Sequence, residues 1–312
     1  MTTTTDFNAL EPLTPERPAV AKEQTPFRRF VSDFAESKVA VVGFITFVIV
    51  LFIAILAPWI SPTNPYDLAS VSILDSRLPP GTAMMNGTTA WLGTDGLGRD
   101  MVSAIAYGLR ISLGVGVLSG LVAFCVGVCV GLTSAYFGGR VDTVIMRLVD
   151  LQLSFPAILI ALVLLATLGK GVDKIILALI VVQWAYYART VRGSALVERS
   201  KEYIEAATCL ALSHKRIVFR HLLPNVMPPL IVVGTVQVAH AIALEATLSF
   251  LGVGLPVTHP SLGLLIANGF EYMMSGNYWI SIFPGIALLI TIVSINLVGD
   301  RLRDVLNPRL AR

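Results

Sequence analysis

Few residues in this 312-residue chain can do chemistry, and their spacing excludes more than it permits. Three cysteines (Cys125, Cys129, Cys209) and four histidines (His214, His221, His240, His259) fall at no metal-ligand spacing and make no disulfide framework. No metal site is expected. A G-x-x-x-x-G-K-[ST] run is missing, because Gly169-Lys170 lacks the earlier glycine and the hydroxyl residue. Neither G-x-S-x-G nor H-E-x-x-H occurs. The chain is therefore expected to have no catalytic residues, to bind no cofactor and to be unable to cradle ATP phosphates by itself. Two local clusters remain. Gly93-Thr94-Asp95-Gly96-Leu97-Gly98-Arg99-Asp100 puts three glycines, two aspartates and an arginine into eight residues. That is a turn in which Asp95 and Asp100 can engage Arg99 or backbone N–H groups. The second is Glu205-Ala206-Ala207, followed by Ala211, His221, Leu223 and Pro224. There an acid stands beside side chains small enough for close helix approach, and Ala207 in particular is expected to keep that approach open.

The elements that must position these residues follow from composition. The chain is 55 % apolar and 14 % charged, with a mean hydropathy of +0.75. A soluble domain is about 25 % charged. A soluble enzyme, a disordered protein and a disulfide scaffold are excluded, and an all-α integral membrane protein is expected. The net charge of +3 gives no reason to expect a nucleic-acid partner. Six charge-free stretches recur: Val39–Ile60, Ile111–Phe137, Leu151–Leu168, Ile175–Ala188, Val226–Leu244 and Trp279–Gly299. A bilayer core of about 30 Å needs about 20 helical residues, which makes the fourth stretch short. Residues 1–26 read as a disordered polar tail. Phe27, Phe30, Val31 and Phe34 share one face of a short helix lying in the membrane interface.

Orientation follows from the basic residues. With the N-terminus inside, five Lys/Arg precede the first span, two lie at 140 and 147, seven between 189 and 220, and four after 300. That places eighteen of twenty-three on the inner side. Both termini are thus expected in the cytoplasm. The segment 61–110 becomes an outer, turn-rich loop, and 189–225 a helical inner loop.

Polar groups inside spans carry a functional prior. His240 and Glu245 are candidates for pore lining or for a structural role, and a structural partner for nearby loop backbone is the preferred reading of Glu245. Gln183 and Asn296 are candidate interhelical hydrogen-bonders. Cys125 and Cys129 are expected to pack as small apolar groups on one helix face. Gly114, Gly116, Gly120, Gly127 and Gly131 are expected to permit close helix approach.

The spacing Glu205-Ala206-Ala207, Ala211, His221, Leu223-Pro224 resembles the EAA signature of permease subunits of bacterial ABC importers. The 91–100 segment resembles the GTD-x-x-GRD stretch of the dipeptide/oligopeptide/nickel permease family, in the C member of its heterodimer. So do Tyr136–Asp142, Phe155-Pro156, Glu245–Gly252, Gly299-Asp300 and Pro308–Leu310, collinear over residues 27–310. The family usually carries glycine at the position of Ala211.

The resemblance implies a six-helix permease of a bacterial inner membrane, with a periplasmic loop over 61–110 and a core over 111–310. Its loop 189–225 would form coupling helices on cytoplasmic ATPases. It also implies a homologous second permease, two ATPase subunits that hold ATP and Mg²⁺, and a periplasmic substrate-binding protein. Di- or oligopeptides are the expected cargo; nickel or glutathione importers share these motifs. A proton-driven secondary transporter is the rival, and it would need ionisable groups at mid-membrane and inverted repeats.

Overall fold

With no water inside a bilayer to satisfy backbone groups, apolar stretches of this length fold as helices. The computed structural model describes residues 25–67 and 71–306. The expected tail falls outside these residues up to position 24, as does Pro308–Leu310. The first helix already begins at Pro26, inside the stretch read as tail.

In chain order the helices are α1 (Pro26–Ala35), α2 (Lys38–Ile60), α3 (Met101–Phe137), α4 (Gly139–Ser154), α5 (Ala157–Leu168), α6 (Val172–Arg199), α7 (Glu202–Cys209), α8 (His214–Arg216), α9 (Leu223–Phe250), α10 (Leu262–Phe270) and α11 (Trp279–Leu306). A two-residue hairpin, β1 (Thr82–Ala83) and β2 (Thr89–Ala90), lies in the loop after α2. Five helical runs are long and apolar enough to cross a membrane: α2, α3, α6, the run His214–Phe250, and α11.

The third expected span is broken. α4 and α5 meet at a bend of 87°. Phe155 is extended (φ −94°, ψ 142°) because the ring of Pro156 disfavours helical backbone in the residue before it. The 12 residues of α5 reach only about 18 Å at 1.5 Å per residue. α4 instead pairs its carboxylates with the C-terminal end of α6, the end expected on the inner side: Asp142 with Arg192 at 2.5 Å, and Asp150 with Arg189. The fourth stretch, which looked short, is the 28-residue α6. Its polar inner end, from Arg189 onward, simply continues the helix.

The outer loop is also shorter than 61–110, because α3 starts at Met101. Asp100 caps it, accepting from the Ser103 N–H at 2.8 Å and the Ser103 hydroxyl at 2.7 Å.

α3 and α6 form the axis of the bundle, and glycine lets them touch. A Cβ on Gly127 would lie 2.4 Å from the Tyr187 Cβ and 2.7 Å from the Trp184 carbonyl oxygen. One on Gly131 would lie 2.6 Å from the Ala188 carbonyl oxygen. Gly116 meets Ile242 of α9 in the same way at 2.5 Å. Gly114 faces open space and takes no part. Cys125 and Cys129 are exposed rather than packed. Gln183 is buried with neither amide atom bonded, so it makes no interhelical hydrogen bond among the described residues.

The core has an outer half, with Leu165, Leu179, Val182, Leu244 and Leu248, and an inner half, with Leu132, Val191, Leu222, Val226 and Leu230. α2 and α11 pack beside it through Val50, Ala54 and Ile295. α1 is tied to α11 by Arg301, which donates to the Asp33 carbonyl oxygen and lies 3.5 Å from Glu36. α10, unexpected from the sequence, is held between α9 and α11. A Cβ on its Gly263 would fall 2.2 Å from the Ala246 carbonyl oxygen, and one on its Gly269 would fall 2.5 Å from the Ile280 carbonyl carbon.

Candidate functional site

The inner loop is a bracket of two short helices. α7 ends in a Schellman turn: the Leu212 N–H donates to the Ala207 carbonyl at 3.2 Å, and the Ala211 N–H to Thr208 at 2.9 Å. Ala211 occupies the left-handed position of that turn, at φ 53°. Glycine is favoured there, and a Cβ costs on the order of 1 kcal/mol. The bend is therefore strained.

Ile204 and Ala207 are buried against Ile217, with Tyr136 and Leu212 packed beside them. Ala207 therefore faces the loop's own interior, so its small size serves the packing of α7 on the segment after α8. The outward face of α7 carries Glu205, Ala206 and Cys209, and Leu210 follows at 74 % exposure. On that face Ala206 is the small side chain able to let another surface approach.

Pro224 does not restart the chain. From α8 the helix runs through a π turn, Ile217–Leu222, into α9, with the Leu223 N–H reaching back to the Val218 carbonyl. That wider turn lies directly before Pro224, whose ring would clash with the carbonyl four residues earlier in a regular helix. Leu223 is half-buried and His221 partly so, while Pro224 is exposed.

The bracket is anchored to the spans at two points. Tyr136, near the inner end of α3, shares a 2.6 Å hydrogen bond with His214 Nδ1 at the start of α8. Glu198 at the end of α6 accepts from Lys201 Nζ at 2.6 Å and from the Tyr203 hydroxyl at 2.8 Å. The Tyr203 oxygen in turn accepts from Asn225 Nδ2 at 3.2 Å. Burial, and next the carboxylate of Glu198, push the Tyr203 phenol up to about 12. It stays a donor at every physiological pH. None of these partners was legible beforehand, since Tyr203 and Asn225 lie 22 residues apart and share no local pattern.

At the opposite end of the bundle, the end expected to face outward, Gly93–Asp100 is a buried polar knot. Asp95 Oδ1 accepts from the Leu97 and Arg99 N–H groups, each at 2.9 Å. Its Oδ2 lies 2.7 Å from Arg99 Nε and 2.6 Å from Nη2. Arg99 is fully buried and reaches toward the Val257 carbonyl oxygen at 3.5 Å. Thr94 accepts from the Leu78 N–H at 2.7 Å, and its carbonyl receives the Trp279 indole N–H at 3.1 Å. Gly93 and Gly98, at φ 81° and 83°, leave no room for a Cβ: the nearest atoms would be the Leu78 and Ser72 carbonyl oxygens, at 2.7 and 2.3 Å. The knot thus joins the N-termini of α3 and α11 to the loop after α9. Asp100 contributes as the cap of α3 rather than as a partner of Arg99.

Inside the membrane-spanning part the two ionisable candidates separate. Glu245 is fully buried, accepting from Ser112 of α3 at 2.8 Å and from Ser249 at 2.7 Å. Ser261, the cap of α10, adds a third hydroxyl. Glu245 therefore ties α3, α9 and α10 together. His240 lies on the opposite, exposed side of α9.

Comparison with known proteins places this architecture. The family model for the binding-protein-dependent transport system inner membrane component matches residues 127–312, and that for the N-terminal TM domain of oligopeptide transport permease C matches 25–80. The dipeptide transport system permease protein DppC of Escherichia coli K12 is 40 % identical over 287 residues, covering 92 % of this chain and 94 % of that protein. DppC of Bacillus subtilis is 35 % identical over 297 residues, 95 % of this chain and 89 % of that protein. DppC of Haemophilus influenzae is 35 % identical over 295 residues, 95 % and 99 %. An inward-facing structure of the MetNI methionine ABC transporter superposes with a TM-score of 0.55 at 22 % identity, over 66 % of this chain and 98 % of that one. At that identity it speaks to the fold, which is that of an ABC importer permease. A multi-pass inner-membrane transport subunit without an enzymatic role of its own follows from the matches over both parts of the chain. The chain belongs to the family of binding-protein-dependent transport system inner membrane components, as a permease of the DppC/OppC type.

Proposed function

We propose that this chain forms half of the translocation pathway of an ATP-driven importer of di- or oligopeptides, and that it passes the motion of cytoplasmic ATPases to the spans through α7 and α8. The observation that carries the reading is the bracket itself. A packed inner face of Ile204, Ala207 and Ile217 holds an outward face of Glu205, Ala206, Cys209 and Leu210 that no described residue covers. A helical loop held this firmly to α3, α6 and α9 can push on all three when its outward face is pushed. The named dipeptide permeases supply the cargo class. A homologous second permease completes the pathway, a periplasmic binding protein delivers the peptide, and two ATPase subunits hold ATP and Mg²⁺. Both termini lie in the cytoplasm, which keeps the bracket on the ATPase side.

Cys209 offers a native probe, since it is exposed on that outward face. Its rate of reaction with a soluble maleimide should fall severalfold when the permease is assembled with its ATPases. An unchanged rate would show that α7 docks nothing.

A further inference from the structure

Between the inner ends of α6, α9 and α11 the chain encloses a cleft of about 1010 Å³. Ser194 of α6, Asn225, Val232 and Val236 of α9, and Asp300 and Arg303 of α11 are among its walls. Asn225, Val232 and Val236 are separated by seven and four residues, so they share one face of α9. His240, four residues further on, continues that face toward the membrane interior. It is exposed, and its ring makes no hydrogen bond or ion pair among the described residues. Thr247, exposed beyond it, already spends its hydroxyl on the Ala243 carbonyl at 2.8 Å. The opposite face of α9, with Val226, Leu230, Gln237, Ala241, Leu244 and Leu248, is the one buried in the bundle.

Two chemistries decide what this face meets. Asp300 and Arg303 at the mouth, with Ser194 and Asn225, are unsuited to lipid, and ionisable groups within spans face a bundle interior or a water-filled cavity. The cleft is also as large as sites that hold small molecules, about 300–1,000 Å³. One helical turn beyond Val236, the His240 imidazole offers an N–H donor past a stretch of wall formed by Val232, Val233 and Val236.

We propose that His240 lines the transport path one turn beyond the deep end of this cleft and donates a hydrogen bond to a backbone carbonyl oxygen of the passing peptide, which makes it a cargo-binding residue. The cargo part rests on the functional reading above; the lining part does not. A carbonyl is the group every peptide carries whatever its side chains, so one donor at this depth serves cargo of varied sequence.

The test uses the complete transporter in two arms. In the first, His240→Cys is made in a chain whose Cys125, Cys129 and Cys209 are serine, and inside-out vesicles receive a membrane-impermeant thiol reagent. Labelling without nucleotide that slows severalfold in the vanadate-trapped state supports the lining. No labelling, as when a second permease covers the residue, or labelling by a lipid-soluble reagent alone, overturns it. In the second arm, proteoliposomes take up radiolabelled Ala-Ala in the presence of the binding protein. His240→Leu should lower uptake about tenfold, the loss of one hydrogen bond, while His240→Gln stays within about twofold. Equal uptake by the leucine variant overturns the contact. The labelling arm needs no solute, so a wild-type complex that imports no peptide refutes the functional reading, and only the labelling result refutes the lining.

Discussion

At the scale of single residues, the loop between the spans is governed by two alanines that look alike in sequence and are opposite in structure. Ala207 is packed inside and Ala206 faces out. The Glu-Ala-Ala run names the position of the loop but not its phase, because the phase depends on Ile217 and Tyr136, which arrive from other elements. Ala207→Trp should therefore unseat α7 itself, and limited proteolysis after residue 201 should accelerate. Ala211 is strained at φ 53°. Ala211→Gly should stabilise the loop by about 1 kcal/mol, seen as slower hydrogen exchange at the Leu212 amide; unchanged exchange would mean that the left-handed turn is not held. The Asp95–Arg99 pair was legible as a cluster of types, and its burial was not. Arg99→Leu leaves a carboxylate buried without its cation and should cost about 3–5 kcal/mol in thermal unfolding in detergent. Asp95→Asn in the same chain should recover part of the loss.

At the scale of elements, hydropathy located six apolar stretches, five of them in unbroken helices long enough to cross a membrane and one in the bent pair α4–α5, and misjudged where they end. α6 extends to Arg199 because the helix needs no bilayer once its polar inner end is paired with α4. The break at Phe155-Pro156 was present as a dipeptide, yet charge-free residues on both sides masked it as one span. α10 escaped notice because its nine residues are too few for a span and are positioned by Gly263 and Gly269, whose contacts are with distant backbone. Close approach of α3 and α6 gives a sharp contrast. Gly127→Leu drives a side chain into the Trp184 carbonyl and Tyr187 and should abolish recovery of monodisperse protein. Gly114→Leu, with nothing within 4 Å, should purify like the wild type.

At the scale of the whole molecule, the outer knot and the inner bracket hold the two ends of the same helices. Trp279 and Asp100 fix α11 and α3 outside, while Tyr136 and Asn225 fix α3 and α9 inside. Under the proposed coupling, a push on the bracket would be delivered to spans whose far ends are tied together. The excess of basic residues on one side sets the orientation expected from sequence, whereas the ties themselves are long-range and were not legible there. With the native cysteines replaced, Asn86→Cys, in the turn between β1 and β2, should react with an impermeant thiol reagent outside intact spheroplasts, and Ser213→Cys should not. The most direct test of the account is peptide-stimulated ATPase activity of the reconstituted transporter carrying Ala206→Trp. Stimulated activity and peptide uptake should fall together, with the permease still in the membrane and α7 still folded. Full stimulated activity in that variant would contradict the assignment of this loop as the link between ATPase and pore.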